Sequence, residues 1–304
     1  MLANLHTHTR FSDGSGEPVQ YVEEALNQGL SSLGFSDHSP LPFENSFALR
    51  ENQVEKYCSS ICSLKNQFAP SKALDPRAEP ANLDTSGIRH PTPNIHIFLG
   101  LEVDFIPEMG HPFSNFRENF PMDFLIGSVH LVRNGSLSDL WFIDGPDPAT
   151  YDEGLNKLFD GDIRKGVTTY YQQINEMLTT NTMDIIGHLD KIKMHNRNRF
   201  FSEDEPWYQK LVDETLDLVK KSGVIVEVNT RGIYKKRTDS VFPGTAVLKK
   251  IKKLDIPIIL SSDAHKPQEL TLMFPETKKL LAGLGFCEIM DLTSEGWKSV
   301  PLDN

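Results

Sequence analysis

The sequence predicts an α/β fold, a distorted (β/α)7 barrel in which parallel strands alternate with helices. Short apolar runs alternate with amphipathic stretches about seven times along the 304 residues. Histidine, aspartate, glutamate or arginine follows each apolar run, at the point where the strand would end. An open parallel sheet collects its site from a few loops, whereas a barrel brings all its strand ends to one mouth. These observations together favour the closed form.

Seven segments have the composition of buried strands, and in chain order they are 2–6, 32–36, 96–103, 123–129, 183–188, 224–229 and 257–261. Five segments between or beyond them carry apolar residues at helical spacing, and these are 19–30, 168–178, 207–221, 247–254 and 277–284. Alternation of this kind predicts βαβ units and a parallel sheet.

We expect a single domain over residues 1–304, because no linker divides the chain. Residues 69–94 contain five prolines and little periodicity, which predicts a surface insertion before the third strand. Residues 134–162 are also irregular and rich in Gly, Asp and Pro, and they are expected at the rim of the site.

Composition limits the classes of partner. A net charge of −11 argues against a nucleic-acid surface, but it does not exclude a small anionic substrate, since bound cations reverse the local potential. No apolar run reaches the roughly 18–20 residues that span a bilayer, and the first residues lack a signal-peptide pattern. We therefore expect a cytoplasmic protein with a small-molecule partner. Its three cysteines, including Cys58 and Cys62 one helical turn apart, are expected to be free thiols.

Six histidines and three carboxylates lie at or just beyond the predicted strand ends. They are His6, His8, Asp13, His38, Glu102, His130, His188, Asp263 and His265. Imidazole and carboxylate groups are common metal ligands, and one catalytic ion usually takes only three or four from the protein. Nine such residues therefore predict a cluster of metal ions and hydrolytic chemistry.

Spacing supports this interpretation at the two ends of the chain. His6 and His8 are separated by one residue, as are Asp263 and His265. Alternate residues of an extended segment face the same side, so each pair can approach one ion.

Taken singly, the other residues have simpler explanations. Asp13 precedes a glycine, as turn residues often do. Glu102 follows an apolar run and needs a partner, which an arginine could supply as well as a metal. His130 and His188 alone would more often be hydrogen-bonded core histidines. The joint pattern favours ligands.

The motifs HTH, SDG, SDH, GLE, SVH, GHLD and SDAH, in this order, resemble the PHP superfamily, named for polymerase and histidinol phosphatase. The similarity is greatest to its monofunctional histidinol-phosphate phosphatase branch and extends from His6 to His265. It implies a distorted seven-stranded barrel with three divalent ions. It also implies hydrolysis of L-histidinol phosphate to L-histidinol and phosphate, in histidine biosynthesis.

The resemblance further implies which residues hold each ion, and these sets are His6, His8, Glu102 and Asp263 for the first, Glu102, His130 and His188 for the second, and Asp13, His38 and His265 for the third. Zinc, manganese and iron are the expected metals. Many relatives have histidine where this chain has Asp13, a harder ligand, so the third site is expected to prefer manganese or iron. Asp13, Asp263 and His265 are the expected catalytic residues, with a metal-bound hydroxide as nucleophile.

Two arginines are predicted to bind the substrate phosphate. Arg197 follows the fifth strand and Arg231 the sixth, in loops where the family places such arginines, and a planar guanidinium matches phosphate oxygens. Arg199 is an alternative to Arg197, and a surface ion pair is the alternative role for Arg231. Phosphate-binding arginines distinguish a phosphomonoesterase from a metal-dependent amidohydrolase.

Other questions stay open at this level. The proton for the leaving group has four possible sources: Asp13, Asp37, His195 or a metal-bound water. The alternatives to histidinol phosphate are phosphotyrosine or a nucleotide as substrate, a module of a DNA polymerase, and a metal-binding protein without activity. The oligomeric state is not predicted.

Overall fold

The structure is a computed structural model that describes residues 2–69 and 95–302. Its strands are β1 (Ala3–Asn4), β2 (Ser32–Phe35), β3 (His96–Asp104), β4 (Phe124–Ser128), β5 (Leu131–Arg133), β6 (Leu140–Phe142), β7 (Ile185–Ile186), β8 (Ile225–Asn229), β9 (Ile258–Ser261), β10 (Glu288–Thr293) and β11 (Gly296–Pro301). Seven of them form one sheet in the order β1-β2-β3-β4-β7-β8-β9, and every neighbouring pair is parallel. These seven are the predicted strands.

The sheet curls into a nearly closed barrel. Just beyond β1 and β9, Thr7 and Ala264 form an isolated parallel bridge. The His8 amide donates to the Ala264 carbonyl at 2.8 Å, and the Ala264 amide donates to the His6 carbonyl at 3.1 Å. The first and last strands therefore meet at the same end of the barrel as the ligand motifs, and the barrel prediction is confirmed.

The helices of the described residues are α1 (Pro18–Asn27), α2 (Val54–Gln67), α3 (Phe113–Asn119), α4 (Pro148–Phe159), α5 (Ile163–Thr180), α6 (Pro206–Ser222), α7 (Arg231–Tyr234), α8 (Thr245–Lys253) and α9 (Phe274–Gly283). Local sequence sets their ends. Pro206 begins α6, where its missing N–H costs nothing, and Gly223 ends it with a φ of 72°, a left-handed conformation that suits glycine. Among the described residues, no helix combines the length and apolar character needed to cross a membrane.

The region 134–162 is more regular than predicted, because it contains β6 and α4. Two of the residues that suggested a loop, Asp147 and Pro148, instead mark the start of α4. Pro148 opens α4, and the Asp147 side chain accepts a hydrogen bond from the Ala149 amide as its N-cap. The predicted insertion at 69–94 lies outside the described residues, except for residue 69, and remains a prediction.

An inner core fills the barrel opposite the ligand end. It consists of Leu5, Phe98, Phe124, Ile126, Ile185, Ile225, Ile259 and Leu292, with Met290 and Trp297 packed against it. Leu292, Met290 and Trp297 belong to the antiparallel β10–β11 hairpin, which the sequence analysis did not predict. The hairpin therefore packs against the inner core at the amino-terminal end of the barrel, opposite the predicted ligands.

Candidate metal centre

All nine predicted ligands converge at the carboxyl-terminal end of the barrel. Seven of them are buried, while Asp13 and His265 lie nearer the mouth, with side chains 32% and 12% exposed. Above them opens a cavity of about 130 Å³, lined by Asp13, His38, Phe47, Glu102, His130, Phe142, Asp144, Pro146, Arg231, Arg237, Asp263 and His265.

Glu102 lies at the centre and faces two groups of histidines. Its Oε2 is 3.2 Å from His6 Nε2 and 3.4 Å from His8 Nε2. Its Oε1 is 3.0 Å from His188 Nε2 and 3.5 Å from His130 Nε2. Ligand atoms around a tetrahedral ion with bonds of about 2.0–2.1 Å lie roughly 3.3–3.4 Å apart. The spacing of these atoms is therefore that of ligands sharing an ion on each side of one carboxylate.

Asp13 gathers a further group at the mouth. Its Oδ2 is 3.1 Å from His265 Nε2, and its Oδ1 is 3.8 Å from both His38 Nε2 and His8 Nδ1. Metal-compatible groups of His, Asp and Glu in the described residues are His8–Asp13–His38–His265, His6–His8–Asp263, Glu102–His130–His188 and His38–Asp104–His130. The third group equals a predicted ligand set, the first adds His8 to one, and the second lacks only Glu102. The fourth group was not predicted and includes Asp104.

Unpaired buried nitrogens indicate that a cation fits here. Within the described residues, His6 Nε2, both ring nitrogens of His8, His38 Nδ1 and His188 Nδ1 are buried without a hydrogen-bond partner. Buried polar atoms in folded proteins are nearly always hydrogen-bonded, so a cluster of exceptions requires an explanation. Metal coordination can satisfy His6 Nε2, His8 Nε2 and His38 Nδ1, which all face Glu102 Oε2, although not His188 Nδ1, and we conclude that the residues suit a metal site.

Two carboxylates that the sequence reasoning missed orient the histidines. Glu227 accepts a hydrogen bond from His6 Nδ1 and another, at 2.8 Å, from the His188 amide. Asp104 accepts from His130 Nδ1 at 2.7 Å. The contacts at His6 Nδ1 and His130 Nδ1 leave the Nε2 of each ring facing Glu102, as partners of metal-binding histidines commonly do. Glu227 had the same sequence signal as Glu102, a lone carboxylate within an apolar run.

The carboxylates adjacent in sequence to His38 and His188 have other roles. Asp37 accepts hydrogen bonds from the Thr9 amide at 2.8 Å and the Ser12 amide at 3.0 Å. Asp190 pairs with Lys193 at 2.8 Å. Asp37 therefore fixes the loop that carries Asp13.

Electrostatics keep the central carboxylates ionised. Burial alone would raise the pKa of Glu102, but His6, His130 and His38 hold it well below the ordinary value. Asp263 behaves likewise beside His6 and Arg231. Burial and the neighbouring His265 and His38 lower the pKa of His8 to about 3, so this imidazole is neutral. His8, Glu102 and Asp263 are thus in the protonation state that binds metal, whereas neighbouring carboxylates raise the pKa of His6 and raise that of His130 to about 9 against the effect of burial, so metal binding there would release protons.

Two of the predicted ligands have unusual backbone conformations. His188 has a φ of 22° and Asp263 a φ of 53°, in the left-handed region that side chains other than glycine rarely adopt. A Cβ at Gly187 would lie 2.3 Å from Ser128 Oγ, so only glycine fits directly before His188. Local strain of this kind concentrates at functional sites.

Of the arginines predicted to bind phosphate, only Arg231 lines the cavity. Arg231 lines the cavity and its Nη1 donates to the Asp263 carbonyl at 2.8 Å. Arg197 does not line it, since its Nε and Nη2 donate to the carbonyls of Arg237 and Lys236. Arg199 pairs with Asp152 on the outside. The second arginine of the cavity wall is Arg237, which the sequence reasoning did not consider.

Three histidines outside the predicted ligand set lie away from the cavity. His195 is buried and hydrogen-bonds through Nε2 to the Gly145 carbonyl at 2.8 Å, outside the cavity lining. His96 and His111 are remote from the centre: His96 stacks on Phe98, and His111 pairs with Glu51. The cysteines of the described residues are free thiols, as predicted.

Comparison with known proteins gives a consistent result. The family model described as PHP domain matches residues 4–231. A Deinococcus radiodurans protein named "Probable histidinol-phosphatase" is 28% identical over 93% of this chain and 94% of its own length. The histidinol-phosphatase of Bacillus subtilis is 25% identical over 86% and 92%. Histidinol phosphate phosphatase from Lactococcus lactis subsp. lactis, solved with zinc, L-histidinol and phosphate, superposes with a TM-score of 0.65 at 19% identity, covering 98% of each chain.

Proposed function

The chain belongs to the PHP domain family, and from this premise we propose that it is a metal-dependent phosphomonoesterase that hydrolyses L-histidinol phosphate to L-histidinol and phosphate. One observation carries the proposal: a single cavity joins the His, Asp and Glu cluster to the guanidinium groups of Arg231 and Arg237. A hydrolase that acts on amides would not need these arginines, whereas an enzyme that binds a phosphate group uses them to pair with the phosphate oxygens. The names of the two relatives and the ligands of the Lactococcus lactis structure support this substrate.

Three divalent ions would be held by the residues that the structure brings together. The proposed sets are His6, His8, Glu102 and Asp263; Glu102, His130 and His188; and Asp13, His38 and His265. Zinc, manganese and iron all accept such nitrogen and oxygen ligands. When bound, divalent ions of this kind lower the pKa of water towards neutrality and polarise phosphoryl oxygens.

The protein's own groups would orient the substrate. Arg231 is held by the Asp263 carbonyl at 2.8 Å and lies 3.7 Å from Glu269 Oε2, so its guanidinium needs little reorganisation to meet a phosphoryl group. Only Nη1 of Arg231 is engaged among the described residues, which leaves Nε and Nη2 as donors. We expect this contact to strengthen as charge develops on the phosphoryl oxygens.

Asp13 and His265 are the proposed catalytic pair at the mouth, with Asp263 beneath them. His265 Nε2 lies 3.1 Å from Asp13 Oδ2 at the entrance, so an ion held by these two side chains would lie where the leaving alkoxide of a small substrate departs. Asp37 and His195, the other side chains considered as proton donors, do not line the cavity. Asp13 does line it, but although burial alone would raise its pKa, His265 and His38 hold the pKa of Asp13 far below the ordinary value, so it is ionised and would serve as a ligand and not as the proton donor.

A substrate panel tests the proposal. Phosphate release from L-histidinol phosphate, phosphotyrosine and nucleoside monophosphates would be measured with protein reconstituted separately with zinc, manganese and iron. We expect kcat/KM to be highest for histidinol phosphate by at least about tenfold. A higher value for phosphotyrosine or a nucleotide would retain the phosphatase and replace the substrate. Absence of release from every phosphomonoester with every metal would contradict the proposed function.

A further inference from the structure

The cavity wall contains an arginine where the sequence pattern did not place one. Arg231 and Arg237 both line the cavity, although they lie only six positions apart in the segment between β8 and α8. Arg197, from the segment after β7, extends across the surface to that same segment. Its Nη2 donates to the Lys236 carbonyl at 2.9 Å and its Nε to the Arg237 carbonyl at 3.2 Å. Arg197 thus contacts the backbone that presents Arg237 rather than the cavity.

Local backbone contacts fix the position of Arg237. The amides of Arg237 and Thr238 both donate to the Gly232 carbonyl, at 2.8 Å and 3.2 Å. The turn is tight, because a Cβ at Gly232 would lie 2.3 Å from Thr238 Cγ2. Lys236 has a φ of 57°, which turns the chain before Arg237. With the Arg197 contacts, this segment is held from both sides.

The guanidinium of Arg237 retains donors for a ligand. Its Nη1 lies 3.6 Å from Asp144 Oδ1 and donates to the Asp144 carbonyl at 3.5 Å, a long contact. Its Nε and Nη2 donate to no acceptor in the described parts of the chain. Arginine carries five N–H donors, so three of them are available to an anion.

The positive charge of Arg237 is also only partly neutralised. Asp144 is its carboxylate neighbour, but Asp144 Oδ2 already pairs with the buried Lys191 Nζ at 2.9 Å. Arg237 and Lys191 therefore share Asp144, and Lys191 Nζ also lies 3.8 Å from Asp263 Oδ2. Lys191 and His130 help to hold the pKa of Asp144 at about 2, although burial alone would raise it. Arg237 is thus a cation at the cavity wall whose carboxylate neighbour has a second and closer partner.

We propose that Arg237, together with Arg231, binds the phosphoryl oxygens of the substrate, and that Arg197 is a positioning residue that acts through Arg237. This inference rests on the proposed phosphomonoesterase function. Both phosphate-binding arginines, Arg231 and Arg237, then come from the segment after β8. The sequence pattern had predicted one from each of two segments, Arg197 and Arg231.

Inorganic phosphate binding to metal-replete protein tests the inference without turnover. Calorimetric dissociation constants would be compared for wild type, Arg237→Ala, Arg197→Ala, the double variant and Arg199→Ala. We expect Arg237→Ala to weaken phosphate binding by about 10- to 100-fold, the scale of charge-assisted hydrogen bonds. Arg197→Ala should weaken it less, and it should add nothing in the Arg237→Ala background, since its effect passes through Arg237. Arg199→Ala, whose guanidinium pairs with Asp152, should stay within about twofold.

Wild-type affinity in Arg237→Ala would overturn the inference, as would independent, additive effects of Arg197 and Arg237, which would make Arg197 a direct contact. If Arg237→Ala loses metal or fails to fold, Arg237→Lys and Arg237→Gln serve instead, with partial weakening expected for lysine and full weakening for glutamine. The proposed function fails separately: wild type would then release no phosphate from any monoester, whatever the arginine variants do to phosphate affinity.

Discussion

Glu227 holds His6 from behind: it accepts the hydrogen bond of His6 Nδ1, while His6 Nε2 lies 3.2 Å from Glu102 Oε2 on the other side of the ring. In the neutral imidazole this contact favours the tautomer protonated at Nδ1, which leaves the Nε2 lone pair facing Glu102 and the proposed metal centre. Glu227 also accepts from the His188 amide and from Ser261 Oγ, so it links three strand ends.

Glu227→Gln should therefore weaken metal binding without removing any ligand. An amide oxygen can replace one acceptor of the carboxylate, but the amide NH2 would face a donor and disturb either His6 or the His188 backbone. We expect a loss of roughly 10- to 100-fold in metal affinity, the usual range for partners that orient metal ligands. Titration of the metal-free protein with zinc or manganese would measure it, with the exposed Glu288→Gln as a matched control that should be unchanged.

Glu102→Gln tests whether one carboxylate serves two sites. Because Oε2 faces His6 and His8 while Oε1 faces His130 and His188, replacing the charged group should lower occupancy on both sides together. Elemental analysis of replete protein should then find close to two ions fewer per chain. Asp13→Asn, at the mouth, should lower occupancy by about one. Loss of a single ion in Glu102→Gln would argue against a bridging role.

Arg231→Ala should reduce kcat/KM by about 30- to 1000-fold, corresponding to roughly 2–4 kcal/mol for a buried charge-assisted contact that strengthens in the transition state. Arg231→Lys should recover only part of the activity, because a point charge cannot reproduce a planar fork. Metal content must be measured in parallel, since Arg231 also contacts the Asp263 carbonyl. Near-normal kinetics in the alanine variant would remove Arg231 from the phosphate site.

The hairpin at the opposite end should matter for stability alone. Leu292 is buried in the inner core with Phe98 and Phe124. Leu292→Ala should lower the free energy of unfolding by about 2–3 kcal/mol, as in other buried leucine sites, and leave kcat/KM unchanged. Urea denaturation would measure the first quantity. Leu137→Ala, at a half-exposed position, should change stability by less than about 0.5 kcal/mol. A fall in kcat/KM of folded Leu292→Ala would indicate coupling between the two ends.

The sequence predicted the parts of the site that depend on strand periodicity. His6 and His8 converge because alternate residues of a strand face one side, and the parallel barrel places every strand end at one mouth. Periodicity says nothing about contacts between segments. The roles of Glu227 and Asp104 depend on neighbouring strands, and the position of Arg197 depends on left-handed backbone turns at Arg197 and Lys236. These features required the folded chain.

Metal-dependent turnover tests the central claim most directly. Initial rates of phosphate release from L-histidinol phosphate would be measured for the protein as purified, after removal of metal with a chelator, and after reconstitution with zinc, manganese or iron. The account predicts loss of at least about 99% of the rate on chelation and its recovery with at least one of these metals, in proportion to the ions bound. Full activity in protein shown by elemental analysis to be metal-free, or no activity in protein with its metal sites filled, would contradict it.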